Sequence, residues 1–337
     1  MGDADNRGVA VVTGGSAGLG RATVRELAAR GWDVAVLARG QDGIDATVDE
    51  VRAAGRRAVG VSVDVADAAA VDAAADHIED ALGPITLWVN NAMAGMIAEF
   101  LDTTASDFER ATAVTYGGAV NGTRSALRRM VPRGRGHVIQ IGSALAHRGI
   151  PLQAAYCGAK HAIHGFTDSV VSELTRNGSE VAVSIIDMPA LNTVQFNWVA
   201  SDFSKHPQPV PPIFQPEVGA RAVADVADRP RRRTWVGEST VGLVLGTRFA
   251  GRFMDWYLAK NAYDGQFAVD HHEPMLPANL YEPVTGDHGA RGVFTAEARS
   301  GSLQTWAIRH RRALGAAGAL AGAAAAVIGW GAVRRAN

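Results

Sequence analysis

Seven short apolar runs alternate with longer amphipathic segments through the first two thirds of the chain. The runs are rich in β-branched residues, and they occupy residues 9–13, 33–37, 58–63, 85–90, 137–141, 181–186 and 234–236. Short runs of this kind, separated by segments of helical length, are typical of a parallel sheet with helices packed on both faces. The sequence therefore predicts an α/β fold with one doubly wound, seven-stranded parallel sheet.

Composition and charge narrow the class of protein further. The chain has 337 residues, of which 47% are hydrophobic and 20% are charged, as expected for a globular protein with a sizeable core. A formal net charge of −1 argues against a nucleic-acid-binding surface. The start of the chain is polar, and the single cysteine, Cys157, cannot form an internal disulfide. We therefore expect a cytoplasmic protein.

A glycine-rich turn, TGGSAGLG at residues 13–20, follows the first run and precedes a helical pattern. Glycines let the backbone approach a ligand closely, and a helix N-terminus offers unpaired N–H groups to a phosphate. The spacing G-x-x-x-G-x-G differs from the G-x-G-x-x-G fingerprint, and a purely structural turn is the alternative. The position between strand and helix favours dinucleotide binding by Gly14, Ser16, Ala17, Gly18, Leu19 and Gly20.

The ends of the next runs supply further candidate cofactor contacts. The second run ends in Ala38-Arg39 without an acidic residue. An arginine here can accept a 2′-phosphate, whereas NAD-preferring sites usually carry a carboxylate, so NADP is predicted over NAD. A solvated arginine is the alternative. The third and fourth runs are followed by residues that could equally be turn-formers: Asp64, Val65, Asn91 and Ala92.

A serine, a tyrosine and a lysine are grouped around the fifth run. Ser143 follows this run, and Tyr156 and Lys160 share a helix face through their i, i+4 spacing. A phenol has a pKa near 10 and exchanges protons poorly at neutral pH. A neighbouring ammonium group favours the phenolate and lowers that pKa. A hydroxyl, a phenol and an ammonium group at one strand end are therefore suited to acid–base chemistry there.

Together these blocks resemble the short-chain dehydrogenase/reductase family. The similar segments are TGGSAGLG, NNA at 90–92, Ser143 with Tyr156-x-x-x-Lys160, and PALNT at 189–193, spread over about residues 7–240. The resemblance implies that Tyr156 is the acid/base, that Ser143 holds the substrate oxygen and that Lys160 binds the nicotinamide ribose. It implies that Pro189 and Thr193 contact the nicotinamide carboxamide, and that the chain forms a dimer or tetramer.

The chain departs from the family pattern at three positions. Met93 follows NNA where the family usually has glycine, and Ala190 replaces the glycine after Pro189. Thr115 stands where the family has a fourth catalytic residue, an asparagine that supports a proton relay. Thr115 is therefore included among the candidate catalytic residues, and its ability to support the relay is left open.

Residues 190–216 occupy the position of the family's substrate lid. Their large aromatic side chains are Phe196, Trp198, Phe203 and Phe214. Aromatic linings generally accept apolar ligands, which predicts a lipophilic ketone, aldehyde or alcohol as the substrate. Packing of these aromatics onto the core is the alternative. The sequence thus predicts an NADP-dependent oxidoreductase, with a non-catalytic nucleotide-binding sensor or scaffold acting through the C-terminal tail as the second hypothesis.

The chain beyond residue 260 has a different composition. Residues 1–260 are interpreted as a Rossmann-type dinucleotide-binding and catalytic domain, 261–302 as an extended polar segment, and 303–337 as an Ala/Gly-rich C-terminal helix. His271, His272 and His288 lack metal-ligand spacing, so no metal site is predicted. The uncharged stretch 313–333 would span about 30 Å as a helix, enough for a bilayer core. It is a candidate membrane anchor, with a helix packed on protein as the alternative.

Overall fold

The computed structural model describes residues 7–269 and 274–310. The strands in this part of the chain are β1 (Val9–Thr13), β2 (Asp33–Ala38), β3 (Ala58–Ser62), β4 (Ile85–Asn90), β5 (Met96–Ile97), β6 (His137–Ser143), β7 (Ala182–Met188), β8 (Ala200–Ser201) and β9 (Arg233–Trp235). Seven of them form one parallel sheet in the order β3-β2-β1-β4-β6-β7-β9, while β5 pairs with β8. The predicted seven-stranded parallel sheet is confirmed.

Helices cover both faces of this sheet. Their bounds are α1 (Gly18–Ala29), α2 (Gln41–Ala53), α3 (Ala68–Leu82), α4 (Ala105–Thr112), α5 (Gly118–Met130), α6 (Ala154–Arg176), α7 (Gln195–Trp198), α8 (Pro216–Asp228), α9 (Glu238–Asn261) and α10 (Leu303–Arg309). Helices α1, α2 and α8 share one apolar cluster with the sheet, and α3, α4, α5 and α6 share the other. Because both faces are buried, the strands are almost uniformly apolar.

Two strands are longer than the apolar pattern predicts. Strand β6 continues to Ser143 and β7 continues to Met188, and the added residues pair in register as Gly142 with Asp187 and Ser143 with Met188. Asp187 and Gly142 interrupt the β-branched pattern, although both lie in the buried sheet. The end of an α/β strand commonly carries the residues of the functional site, which accounts for the polar side chains here.

Connections at the carboxyl ends of the strands form the site. The strand order reverses between β1 and β4, which creates the crevice where this class of sheet binds ligands. Residues 190–216 fold over this edge and include α7 and β8. Residues 274–302 contain neither helix nor strand in the structure and run across the same edge before α10.

The structure leaves two sequence interpretations without a structural description. His271 and His272, and the candidate membrane anchor at 313–333, lie outside the described residues. Among the helices that are described, none combines the length and the apolar character needed to cross a bilayer.

Candidate active site

The glycine-rich turn joins β1 to α1 with two residues in the left-handed region. Gly14 has φ +63° and Gly18 has φ +55°, a conformation that side chains other than glycine rarely adopt. A Cβ on Gly20 would overlap the Gly14 carbonyl oxygen, so this glycine permits close packing within the turn. The α1 N-cap is Ala17, whose side chain cannot cap the helix. The Gly18 N–H donates to the Gly289 carbonyl oxygen at 3.0 Å, so the N–H groups of Leu19 and Gly20 are the ones in the first turn of α1 that are suited to a phosphate.

Hydrogen bonds between strand ends hold this turn in place. The Asn91 side-chain amide donates to the Thr13 carbonyl oxygen at 3.0 Å. The backbone N–H groups of Asn91 and Ala92 donate to Thr13 Oγ1 at 2.9 and 3.0 Å. The β1 and β4 ends are thus tied together directly below the turn. Thr13 is a positioning residue that the sequence analysis did not single out beyond its place in the motif.

The turn forms one wall of a cleft of about 200 Å³. Its lining includes most of the cofactor contacts predicted from sequence: Gly14, Ser16, Ala17, Gly18, Leu19, Arg39, Asp64, Val65, Asn91, Ala92 and Thr193. Gly20 lies in the turn behind this lining. The opposite wall comes from the C-terminal segment, through Asn279, Pro283, Val284, Gly286 and His288. That wall was not predicted.

The end of the cleft next to β2 and β3 is lined by Arg39 and Asp64, and the charges of Arg110 and Glu282 also act on Arg39. Arg110 forms an ion pair with Asp64 at 2.5 Å. Burial, followed by the positive charge of Arg110, lowers the pKa of Arg39. Arg39 donates to the backbone carbonyl oxygens of Tyr281, at 2.6 Å, and Asn279. Arg39 makes no salt bridge with any residue that the structure describes, so its charge is neutralised only partly.

Ser143, Tyr156 and Lys160 line a second cavity of about 610 Å³. The Lys160 ammonium lies 5.6 Å from the centre of the Tyr156 ring and donates to the Ile141 carbonyl oxygen at 2.6 Å. The two cavities share Leu19, Asn91, Met93, Thr193 and Gln195 in their walls. A ligand extending along the glycine-rich cleft therefore reaches the space in front of the tyrosine.

Burial dominates the acid–base properties of this group. It raises the pKa of the Tyr156 phenol to about 12, although a hydrogen bond with Ser143 opposes the rise. It lowers the pKa of Lys160 to about 8, with Asp187 opposing that fall. The sequence analysis expected the ammonium to lower the tyrosine pKa, but desolvation of the phenolate outweighs this attraction here. Tyr156 is therefore a neutral phenol across the physiological range.

A buried carboxylate flanked by two histidines lies behind these residues. Asp187 is 0% exposed, and it contacts His147 Nε2 at 2.9 Å and His164 Nε2 at 2.8 Å. Burial opposes ionisation of Asp187, but the hydrogen bonds from the two histidines lower its pKa on balance. The three ligand atoms lie within 4.8 Å of one another. The Nε2 atom of each histidine thus gives the buried carboxylate a hydrogen-bond partner.

This geometry agrees with comparison against known proteins. The family model described as short chain dehydrogenase matches residues 8–202. The chain belongs to the short-chain dehydrogenase family. It is accordingly an oxidoreductase with a Rossmann-like nucleotide-binding fold.

Relatives support the assignment at different distances. An uncharacterized oxidoreductase of Bacillus subtilis, YxnA, is 30% identical over 97% of this chain and 90% of its own length. A metagenomic short-chain oxidoreductase solved with NADP is 26% identical, with a TM-score of 0.57 over 68% of this chain and 96% of its own. A Burkholderia phymatum short-chain dehydrogenase/reductase solved with NAD shares the fold at 22% identity, with a TM-score of 0.66 over 81% of this chain and 100% of that one.

The dehydrogenase differs from the family pattern where Thr115 replaces asparagine. Thr115 lies in a π-helical turn, Ala113–Gly117, and is 1% exposed. Its hydroxyl donates to the Ala94 carbonyl oxygen at 2.8 Å and accepts from the Ala94 N–H at 3.0 Å. The structure therefore does not bring this hydroxyl into the wall with Tyr156. Met93 does line both cavities, as its place after NNA indicated.

The lid aromatics of the dehydrogenase have separate environments. Phe196 lines the larger cavity, together with Pro189 and Ala190. Trp198 lines the glycine-rich cleft instead. Phe203 packs edge-on against Phe267 at 4.8 Å, and Phe214 is fully buried in the core. Of the four aromatic side chains that were expected to line the substrate cavity, Phe196 alone does so. The alternative, packing onto the core, holds for Phe203 and Phe214.

Other residues near Tyr156 are buried or are held by partners of their own. Arg148 pairs with Asp255 on α9, and Cys157 is buried within α6. The Gln153 amide lines the cavity but donates to Gln266 Oε1 at 2.7 Å. His147 is held by Asp187. None of the sequence motifs indicated this pairing, because the partners are 40 residues apart.

Proposed function

We propose that the protein is an NADP-dependent oxidoreductase that transfers a hydride between NADP(H) and a lipophilic ketone, aldehyde or alcohol. The observation that carries the proposal is the junction of two cavities. Ser143, Tyr156 and Lys160 line one cavity, which continues into the glycine-rich cleft through shared wall residues. The proposal takes Tyr156 as the acid/base, Ser143 as the substrate-oxygen donor and Lys160 as the ribose contact.

In this proposal each residue has a defined task during carbonyl reduction. When bound, the nicotinamide supplies the hydride. Tyr156 donates its phenolic proton to the carbonyl oxygen, so that hydride and proton together convert the carbonyl to an alcohol. Ser143 donates a hydrogen bond to the same oxygen while negative charge develops on it. The Lys160 ammonium stabilises the phenolate that remains, and the raised tyrosine pKa keeps the proton available before the reaction.

The charge around Arg39 supports NADP over NAD. Arg39 donates to neutral carbonyl oxygens. Burial is the main cause that lowers the pKa of Arg39, and the nearby positive charge of Arg110 is the second. The nearby Asp64 carboxylate is already paired with Arg110. A 2′-phosphate would supply the missing negative charge and make charge-assisted hydrogen bonds. A ribose hydroxyl would leave Arg39 with only the electrostatic attraction of Asp64 and Glu282.

The walls of the larger cavity support a lipophilic substrate. Its volume of about 610 Å³ is in the range that holds drug-sized molecules. The apolar side chains in its wall come from several elements: Met96, Ile97, Leu145, Ile150, Phe196, Val199, Val210, Met254 and Leu258. A small polar carbonyl compound would leave much of this surface against water. We also propose a dimer or tetramer, on the family resemblance alone, and a cytoplasmic location, on the polar start of the chain and the single cysteine.

Replacement of Tyr156 by phenylalanine tests the proposed chemistry. NADPH oxidation is measured against aldehydes and ketones of increasing chain length. Loss of a positioned acid typically lowers the rate by about 10²- to 10⁴-fold, so we expect that loss in Tyr156→Phe with NADPH binding retained. Tyr116→Phe is the matched control because Tyr116 packs on Phe166 outside the cavity walls. Equal activity in wild type and Tyr156→Phe, or preference for short polar carbonyls, would contradict the proposal.

A further inference from the structure

The C-terminal segment 279–295, here called the strap, lies across the open side of the glycine-rich cleft. Residues of the strap between Asn279 and His288 line the cleft together with the glycine-rich turn at residues 13–20, which is called the phosphate turn from here on. The His288 ring also meets the Trp198 ring edge-on at 5.1 Å, and Trp198 lines the same cleft. Strap and α7 together close the side from which a dinucleotide would enter.

The first attachment of the strap is at the end of the cleft near β2 and β3. The Leu280 side chain is 3% exposed and packs in the apolar cluster that contains Val63 and Val65. Its carbonyl oxygen accepts from Arg110 Nε at 3.0 Å. Arg39 donates to the carbonyl oxygens on both sides of Leu280. These contacts fix the strap to the residues that are proposed to hold the adenosine phosphate.

The second attachment is at the phosphate turn itself. The Gly18 N–H donates to the Gly289 carbonyl oxygen at 3.0 Å, and the Asp287 carboxylate pairs with Arg21. The Gly286 N–H donates to Asp42 Oδ2 at 2.8 Å. Arg21 also pairs with Glu50 at 2.8 Å. Loss of Asp287 would therefore loosen the strap without leaving the buried Arg21 guanidinium unpaired.

The third attachment is next to the proposed carboxamide-binding residues. Asn192 is 0% exposed, and its side chain accepts from the Phe294 N–H at 3.0 Å. The Asn192 amide donates to Thr295 Oγ1 at 3.1 Å. The Gly292 N–H donates to the Asn192 carbonyl oxygen at 3.1 Å. Ala290 and Phe294 are also buried. The strap is thus attached at both ends of the cleft and in its middle.

We propose that the strap is part of the cofactor site: it encloses the bound cofactor, and cofactor exchange requires the strap to detach from the phosphate turn. The inference rests on the proposed function, because it takes the cleft as the nicotinamide-cofactor site. Residues Asn279, Gly286 and His288 then contact the bound cofactor from the wall of the cleft that the strap forms. Cofactor release is accordingly slow, and the Asp287–Arg21 pair controls its rate.

Asp287→Asn tests this role in the full-length protein. NADPH is bound first and then displaced by excess NADP⁺ in a stopped-flow instrument, and the decay of protein-bound NADPH fluorescence gives the dissociation rate constant. Removal of one partly exposed ion pair should accelerate dissociation by about fivefold. His288→Ala, which removes the edge contact with Trp198, should change the rate in the same direction. It provides a second strap variant if Asp287→Asn folds poorly.

Arg25→Gln is the matched control. Arg25 pairs with Glu50 at 2.6 Å in the same charge network but has no contact with the strap among its described partners. Faster release in both strap variants, with wild-type release in Arg25→Gln, supports the proposal. Wild-type release in both strap variants overturns it and leaves the proposed function intact. Folded wild-type protein that binds neither NADPH nor NADH overturns the proposed function and the strap proposal together.

Discussion

Arg39 is the residue on which the proposed preference for NADP depends, and Arg39→Ala separates its two contacts. One contact is the strap, whose carbonyl oxygens accept from Arg39 whichever cofactor is bound. The other is the 2′-phosphate, which only NADPH carries. A charge-assisted hydrogen bond is worth about 1.5–3 kcal/mol, and every 1.4 kcal/mol is about tenfold in affinity. We therefore expect the NADPH Kd to rise about 10- to 100-fold more than the NADH Kd.

Isothermal titration with both cofactors measures the two changes on one protein preparation. Arg52→Ala is the control, because Arg52 lies on the exposed side of α2 and pairs with Asp49 at 3.6 Å. Wild-type protein should bind NADPH more tightly than NADH. An equal loss for both cofactors in Arg39→Ala would refute the phosphate contact and leave Arg39 as a strap anchor alone. Tighter binding of NADH by the wild type would refute the NADP assignment directly.

Two further predictions concern proton transfer and packing. Burial lowers the pKa of Lys160 to about 8, and the charge of Asp187 opposes this fall. In Asp187→Asn the pKa of Lys160 should therefore fall further. The alkaline limb of kcat/KM for carbonyl reduction should then move to lower pH, whereas Asp168→Asn at the surface should leave the limb in place. Gly20→Ala should lower the free energy of unfolding in urea by about 1–3 kcal/mol through overpacking against Gly14. Gly165→Ala on α6, where a Cβ meets nothing within 4 Å, should not destabilise the protein.

The sheet could be predicted because its strands are buried on both faces. Continuous apolar runs and intervening amphipathic segments then follow directly from the architecture. The pattern stopped two residues short of the ends of β6 and β7, where Gly142 and Asp187 continue the ladder. A Cβ at Gly142 would overlap Asp187 Oδ1. Glycine is therefore needed beside the buried carboxylate, and this requirement depends on pairing between distant segments.

Some residues of the site are placed by short sequence spacings, and others are brought together only by contacts between distant segments. The phosphate turn and the Tyr156–Lys160 pair depend on short spacings, so sequence reasoning found them. Asp187 and its histidines come together only through the pairing of β6 with β7 and the packing of α6. No local spacing encodes that network. The raised tyrosine pKa likewise depends on burial, which the sequence motif does not report.

The substrate lid shows why composition alone did not identify its inward-facing residues. Phe214 bridges to Arg299, and its carbonyl oxygen accepts from the Asn192 N–H at 2.8 Å. The lid is therefore hydrogen-bonded to the segment that follows the strap, and the Phe214 side chain lies in the core rather than in the cavity wall. The Trp198 carbonyl oxygen similarly accepts from the Asn279 N–H at 3.0 Å. The segment 190–216 that carries these aromatics is thus in contact with a C-terminal segment that lacks periodicity, and only the folded chain brings the two together.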